Sequence, residues 1–211
     1  MNLKEKISTF KDAYFLWAVQ NSLKGCTSVL DVGCGANSSV RSVIKGLYSE
    51  GIDAYRPSII ESKRRKIHHK YIVGDISQLD KYYKKKSFDA VIAIDVIEHL
   101  KKRDSFKLLE IMESIAKKKI ILLTPNGFCR QGHYGNNSYQ DHKSGWDKKD
   151  LKKRGYRVYG LRSFKQLRGH FATIRYKPWL FWGFVAFVTE PLLYYFPDLS
   201  YDLFAVKTFS S

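Results

Sequence analysis

Asp31-Val32-Gly33-Cys34-Gly35 places a carboxylate and two glycines directly after the short apolar run Ser28-Val29-Leu30. A strand that stops in glycines and enters a helix offers uncovered backbone N–H groups to a ligand. Three further acids end apolar runs in the same way: Asp53 after Gly51-Ile52, Asp75 after Gly74, and Asp95 after Phe88-Asp89-Ala90-Val91-Ile92-Ala93-Ile94. A carboxylate that accepts from two vicinal hydroxyls makes charge-assisted hydrogen bonds of about 1.5–3 kcal/mol each, so an acid at a strand end suits a ribose. The bland alternative is that Asp31, Asp53 and Asp75 only cap helices. A second group of residues is equipped to move protons or hold a cation. Glu98 and His99 follow the fourth run, and Tyr139, Asp141, His142, Lys143 and Trp146 lie in a polar stretch beyond it. Mixed carboxylate and imidazole sets serve either task.

For these residues to meet, their strands must share one edge. The chain alternates strand and helix through residue 126, with strands expected near Ser28, Ile52, Tyr71, Ala90 and Ile121. That order implies an α/β fold, a doubly wound and mainly parallel sheet with helices on both faces and ligands at the carboxyl ends of the strands. Gly127 to Trp146 reads as a polar loop, and long loops over strand ends carry function. A short helix at Asp147–Arg154, a strand at Tyr156–Gly160 and a closing strand at Tyr201–Lys207 follow. Between the last two strands, 178–197 is the most apolar part of the chain, broken by Glu190-Pro191 and short of the ~20 residues of a spanning helix. This apolar helical insertion joins two strands of one sheet, so it is expected to lie across the domain. Trp179, Phe181 and Trp182 are then either packed on the sheet or presented to an acceptor or a membrane surface.

The 211 residues suit a single domain. It divides into an N-terminal helix over 1–24, a cofactor-binding half over 27–126 and a substrate-side half over 127–211. The patch Ala13–Val19 follows several charged residues and precedes no small-residue cleavage site, so it reads as an amphipathic helix and not a signal peptide. Cys26, Cys34 and Cys129 are odd in number and lack Cys-x-x-Cys spacing, which argues against disulfides and for a cytoplasmic location. Lys and Arg number 37 against 20 Asp and Glu, giving +17. Such a charge admits an anionic partner, nucleic acid included, but runs such as Lys63-Arg64-Arg65-Lys66 read first as solvated helix faces, and nucleic acid is not favoured. His68 and His69, beside that run, read as exposed.

Val29 to Leu100, with Lys119-Ile120-Ile121-Leu122-Leu123-Thr124-Pro125-Asn126, resembles the class I S-adenosylmethionine-dependent methyltransferases, core motif by core motif. The resemblance implies a seven-stranded Rossmann-like fold with S-adenosyl-L-methionine as cofactor. It implies Asp31, Gly33 and Gly35 around the methionine part, Asp53 on the ribose, Asp75 and Ile76 beside the adenine, and Asp95 completing the set. Asn37 stands where that family often has a third glycine. Ser38 stands where a nicotinamide-binding fingerprint needs one, which disfavours an oxidoreductase.

Asp95-Val96-Ile97-Glu98-His99, Thr124-Pro125-Asn126 and Asp141-His142-Lys143-x-x-Trp146 also resemble the metal-binding signature of small-RNA 3′-end ribose methyltransferases. That likeness would make Glu98, His99 and His142 ligands of a divalent cation, with the shorter Asp95 replacing a glutamate. An acid–His pair also occurs in methyltransferases that use no metal. The expectation is an enzyme without a metal, with His99 and His142 as catalytic residues, methylating an oxygen or nitrogen of a small or lipid-linked acceptor. Peripheral membrane contact through 178–197 stays open. The alternatives are an RNA ribose 2′-O-methyltransferase with a divalent cation, and a non-catalytic methyltransferase-like binding protein.

Overall fold

The computed structural model describes residues 13–131, 137–169 and 173–209. Residues 1–12 of the expected N-terminal helix and 132–136 of the polar loop lie outside them. In chain order the elements are α1 (Ala13–Ser22), β1 (Ser28–Val32), β2 (Tyr48–Asp53), α2 (Arg56–Arg64), β3 (Lys70–Val73) and β4 (Phe88–Ile94). They continue with α3 (Lys102–Ile115), β5 (Ala116–Pro125), α4 (Lys148–Lys152), β6 (Arg157–Phe164), α5 (Trp179–Leu193) and β7 (Ser200–Thr208).

The seven strands form one sheet in the order β3-β2-β1-β4-β5-β7-β6. All neighbours pair in parallel except β7, which runs antiparallel to β5 and β6. The central strands are apolar runs buried on both faces, as parallel strands covered by helices must be. On one face α3 buries Leu108, Leu109, Met112 and Ile115, which recur at helical spacing, against a core that includes Trp146 and Tyr156. On the other face Phe15, Ala18 and Val19 of α1 pack on Val29, Ile92 and Ile121. The register Pro125↔Asp202 brings the start of β7 to the carboxyl end of β5, so the antiparallel strand adds its first residues to the same edge as the four acids.

Two expected helices are absent from the described residues. After the glycine loop the chain runs in successive turns over 39–47, with Val40 and Ile44 buried. Ser, Gly and β-branched residues crowd this segment, and each is a poor helix former. Ser38 further spends its hydroxyl on Asp31 and on the Val40 N–H, holding a turn instead of a helix start. Between β3 and β4 a 3-10 turn over Ile76–Lys81 replaces an α-helix, with Asp75 accepting from the Ser77 N–H at 2.9 Å.

Helix α5 lies between β6 and β7, as the sequence demanded, and packs on β6. Its buried residues are Ala186, Glu190 and Leu193, while Trp179 and Phe181 are exposed and Trp182 is half-buried. No helix among the described residues is long and apolar enough to cross a membrane.

Candidate active site

The loop after β1 turns on two left-handed glycines, Gly33 at φ +67° and Gly35 at φ +60°. Gly33 and Cys34 extend the β1 ladder, both donating their N–H to the Ile52 carbonyl. A Cβ at Gly33 would stand 2.6 Å from Val96 Cγ2, so the loop fits against Val96 only without a side chain. At Gly35 a Cβ would meet nothing within 4 Å, because the loop there faces a cavity of about 270 Å³. Gly33, Gly35, Asp53, Asp75, Ile76, Asp95 and His99 all line that cavity, and Asn137, Tyr139 and Gln140 flank it from the polar loop.

Asp53 stands at the end of β2 with one carboxylate oxygen on the Tyr55 N–H at 2.8 Å and the other on the Gly35 N–H at 2.9 Å. It therefore fixes the start of α2 and the glycine loop together. Each oxygen keeps a further lone pair for a hydroxyl. Burial pushes its carboxyl above the usual range, opposed by those two N–H groups. Asp75 is exposed at the cavity rim and also caps the turn that follows it, so capping and site roles coincide. Asp95 is held at φ +53°, a conformation aspartate tolerates better than bulkier residues, and its N–H donates to the Leu123 carbonyl at 2.9 Å.

Asp31 is placed differently. It is 2% exposed, does not line the cavity, and accepts from Ser38 Oγ at 2.6 Å while lying 3.0 Å from His68 Nε2. The expected direct contact with a cofactor becomes support of the loop from behind. His68, expected on the surface, is buried, whereas His69 is exposed. Space for the His68 ring exists because Gly51 lacks a side chain: a Cβ there would stand 2.9 Å from His68 Nδ1.

Beside the cavity, Glu98, His99 and His142 bring one ligand atom each within 4.8 Å of one another. The polar loop is tied to this point by its backbone, since the N–H groups of Lys143 and Ser144 both donate to the Glu98 carbonyl, at 2.8 and 3.1 Å. Trp146 anchors the loop. It is 1% exposed, bonded to Ser144 Oγ and overlaid by the Lys102 ammonium at 3.8 Å, so it is a core residue and not a reacting one. His142 Nδ1 lies 2.7 Å from the Cys129 carbonyl and His99 Nδ1 lies 3.3 Å from the Asp141 carbonyl. A carbonyl only accepts, so the short contact places the His142 proton on Nδ1 and its lone pair on Nε2, while His99 faces the carbonyls of Asp141 and Asp95. Burial, then the neighbouring His142, lowers the pKa of His99 and keeps the ring neutral. Glu98 Oε2 accepts from Thr124 Oγ1 at 3.0 Å, while Oε1 is buried without a partner among the described residues, and burial raises this carboxyl well above the usual range.

A family model described as a methyltransferase domain matches residues 30–122, the span that contains the glycine loop, all four acids and the Glu98-His99 pair. Over that span the chain is similar to the methyltransferase domain family. No curated protein sequence matches it. Among solved structures, a SAM-dependent methyltransferase from Archaeoglobus fulgidus aligns over 96% of this chain and 99% of its own at 17% identity, TM-score 0.59. The methyltransferase domain of bacterial CtHen1-C aligns over 95% and 100% at 19% identity, TM-score 0.59. Magnesium protoporphyrin IX methyltransferase from Synechocystis PCC 6803, solved with bound SAM, aligns over 100% and 85% at 17% identity, TM-score 0.56. These likenesses carry the fold.

The residues present fit S-adenosylmethionine, the cofactor that the resemblance in sequence implies. Gly35 presents bare backbone to the cavity, Asp53 retains acceptor capacity, and Asp75 with Ile76 closes the far rim. Sequence reasoning missed Arg162. Its guanidinium lies 2.8 Å from Asp202 and 3.5 Å from Asp95, joining the last strands of the sheet to the cavity wall. Arg162 and Ser163 are consecutive left-handed residues at a break in the β6–β7 register. Nothing in the residue types announces that bulge.

Proposed function

We propose that this methyltransferase transfers a methyl group from S-adenosylmethionine to an oxygen or nitrogen of a small or lipid-linked acceptor that approaches the cavity past His99 and His142. The observation that carries the reading is the convergence of Glu98, His99 and His142 at the cavity edge, with the His142 imidazole held in the tautomer whose Nε2 accepts a proton. Bound S-adenosylmethionine supplies the activated electrophile, a methyl on a sulfonium. The chain aligns the partners: Gly33, Gly35 and Asp53 hold the cofactor, and Tyr139 with Gln140 bounds the space in front of it. A neutral His takes the proton that the hydroxyl loses as it attacks, or that an ammonium must give up to become the attacking amine, while the methyl–sulfur bond breaks to leave the neutral thioether.

One observation favours a second reading. Glu98 Oε1 is a buried oxygen with no partner among the described residues, a costly state of about 1–3 kcal/mol, and its carboxylate stands near ring nitrogens of His99 and His142. Those three donors fit a divalent cation of the Mg²⁺ to Zn²⁺ series, which would lower the proton affinity of a ribose hydroxyl. The +17 charge is compatible with RNA as that acceptor.

The two readings separate in one assay. Purified protein is incubated with methyl-labelled S-adenosylmethionine and, in parallel, a total lipid extract, an aqueous metabolite extract and small RNA, each with and without excess chelator. Label in the lipid or metabolite fraction that persists in chelator, and falls by about 10²-fold or more in His142→Ala, supports the first reading. Label in RNA that chelator abolishes and Mn²⁺ restores overturns it in favour of the second.

A further inference from the structure

Helix α5 is built inside out. The line that faces the sheet is Ala186, Glu190 and Leu193, at i, i+4 and i+7, and it includes a carboxylate. The side that faces outward is Leu180 at 92% exposure, Phe184 at 65%, Trp179 at 62%, and Phe181 and Leu192 close behind. Soluble helices place such residues the other way round. The exposed patch continues past the helix through Tyr195 and Phe196 and meets α1 where Trp17, itself exposed, packs edge-on against Tyr194 at 5.5 Å. The sheet edge cannot swing over to cover this face, because α5 is pinned from beneath: Glu190 Oε1 accepts from the Arg162 N–H at 2.5 Å and the Tyr194 carbonyl from the Gly160 N–H at 3.0 Å.

We infer that this α5 face seats the protein on an anionic lipid surface. Three observations choose that occupant. The apolar residues cover most of the helix circumference, an arc suited to a fluid surface and wider than the narrow seam of a helix pair. Each copy carries +17, so a second copy is repelled from the patch while anionic headgroups are drawn to it. Arg175 and Lys177 precede the helix in exposed positions, and the Lys177 ammonium sits 5.2 Å over the Trp179 ring, an aromatic and a cation together at the depth of a headgroup layer. Fifteen residues span about 22 Å of helix, less than the ~30 Å hydrocarbon core, and both ends return to one sheet, so the helix lies in the plane of the surface. The inference does not depend on which acceptor is methylated.

The test is flotation of the purified chain with phosphatidylcholine vesicles, with and without phosphatidylglycerol, alongside light scattering of the protein alone. Wild type floats with the anionic vesicles, and the exposed-site double variant Leu180→Ser/Phe184→Ser loses about tenfold or more of that binding while retaining its S-adenosylmethionine affinity. Wild type that stays unbound, a variant that floats equally well, or a wild-type dimer that the same variant dissolves would each overturn it, the last by naming a second copy as the occupant.

Discussion

Glu190 Oε1 accepts the backbone N–H of Arg162 at 2.5 Å, and the adjacent Ser163 N–H bonds the same carboxylate. The acid of a helix thereby holds a two-residue left-handed bulge in β6, and that bulge aims the Arg162 guanidinium at Asp202 and Asp95. Non-glycine residues at positive φ persist only where surroundings over-determine them. Glu190→Ala should therefore lose about 1–3 kcal/mol of unfolding free energy, while Glu190→Gln, which keeps an acceptor, loses less. Urea unfolding of the two variants checks this, and equal stability of Glu190→Ala and wild type would remove the carboxylate from the account.

Asp202 gives the pH dependence. Burial pushes its carboxyl up to about 7, against the lowering by Arg162 and Arg168 and with a further push from Asp95. In the unfolded chain the same group titrates near ~3.9. The folded chain thus keeps a proton that the unfolded chain has released, and this contribution to stability is fully present below about 3.9 and lost as pH rises through about 7. Unfolding free energy should fall across that window by at most about 1.4 kcal/mol per pH unit from this group. Asp202→Asn should flatten the slope, and an unchanged slope in the variant would refute the assignment.

The two loop glycines should fail in different ways. Gly33→Ala drives a Cβ to 2.6 Å from Val96 Cγ2 at φ +67°, so it should unfold more easily, by about 1–3 kcal/mol, and bind cofactor weakly. Gly35→Ala meets open space and pays only for its φ of +60°, so it should stay close to wild type in stability yet lose cofactor affinity as its methyl enters the cavity. Thermal unfolding and calorimetric titration of both variants distinguish a strained loop from an obstructed cavity. Matching profiles for the two would contradict the geometry.

Much of this arrangement was legible before any coordinates. Strand ends were marked by apolar runs stopping in Asp53, Asp75 and Asp95, and parallel pairing carries all three to one edge. Glu98, His99 and His142 could be grouped from motif order, although 42 positions separate His99 from the Asp141 carbonyl it bonds. Three features were hidden for physical reasons. His68 reaches Asp31 only because β2 and β3 pair and Gly51 leaves room, a long-range fit that a neighbouring basic run masks. The turns over 39–47 replace a helix because Ser38 bonds inward to Asp31. The Arg162 bulge depends on Glu190 from 28 positions away.

The central claim, a cavity that holds S-adenosylmethionine through the glycine loop and Asp53, is tested most directly by isothermal titration of the purified chain with S-adenosylmethionine, S-adenosylhomocysteine and NAD. Both adenosyl compounds should bind in preference to NAD, and Asp53→Ala should weaken them by about ten- to a hundredfold, the loss of a charged acceptor for two hydroxyls. Preference for NAD, or undiminished binding by Asp53→Ala, would contradict the account.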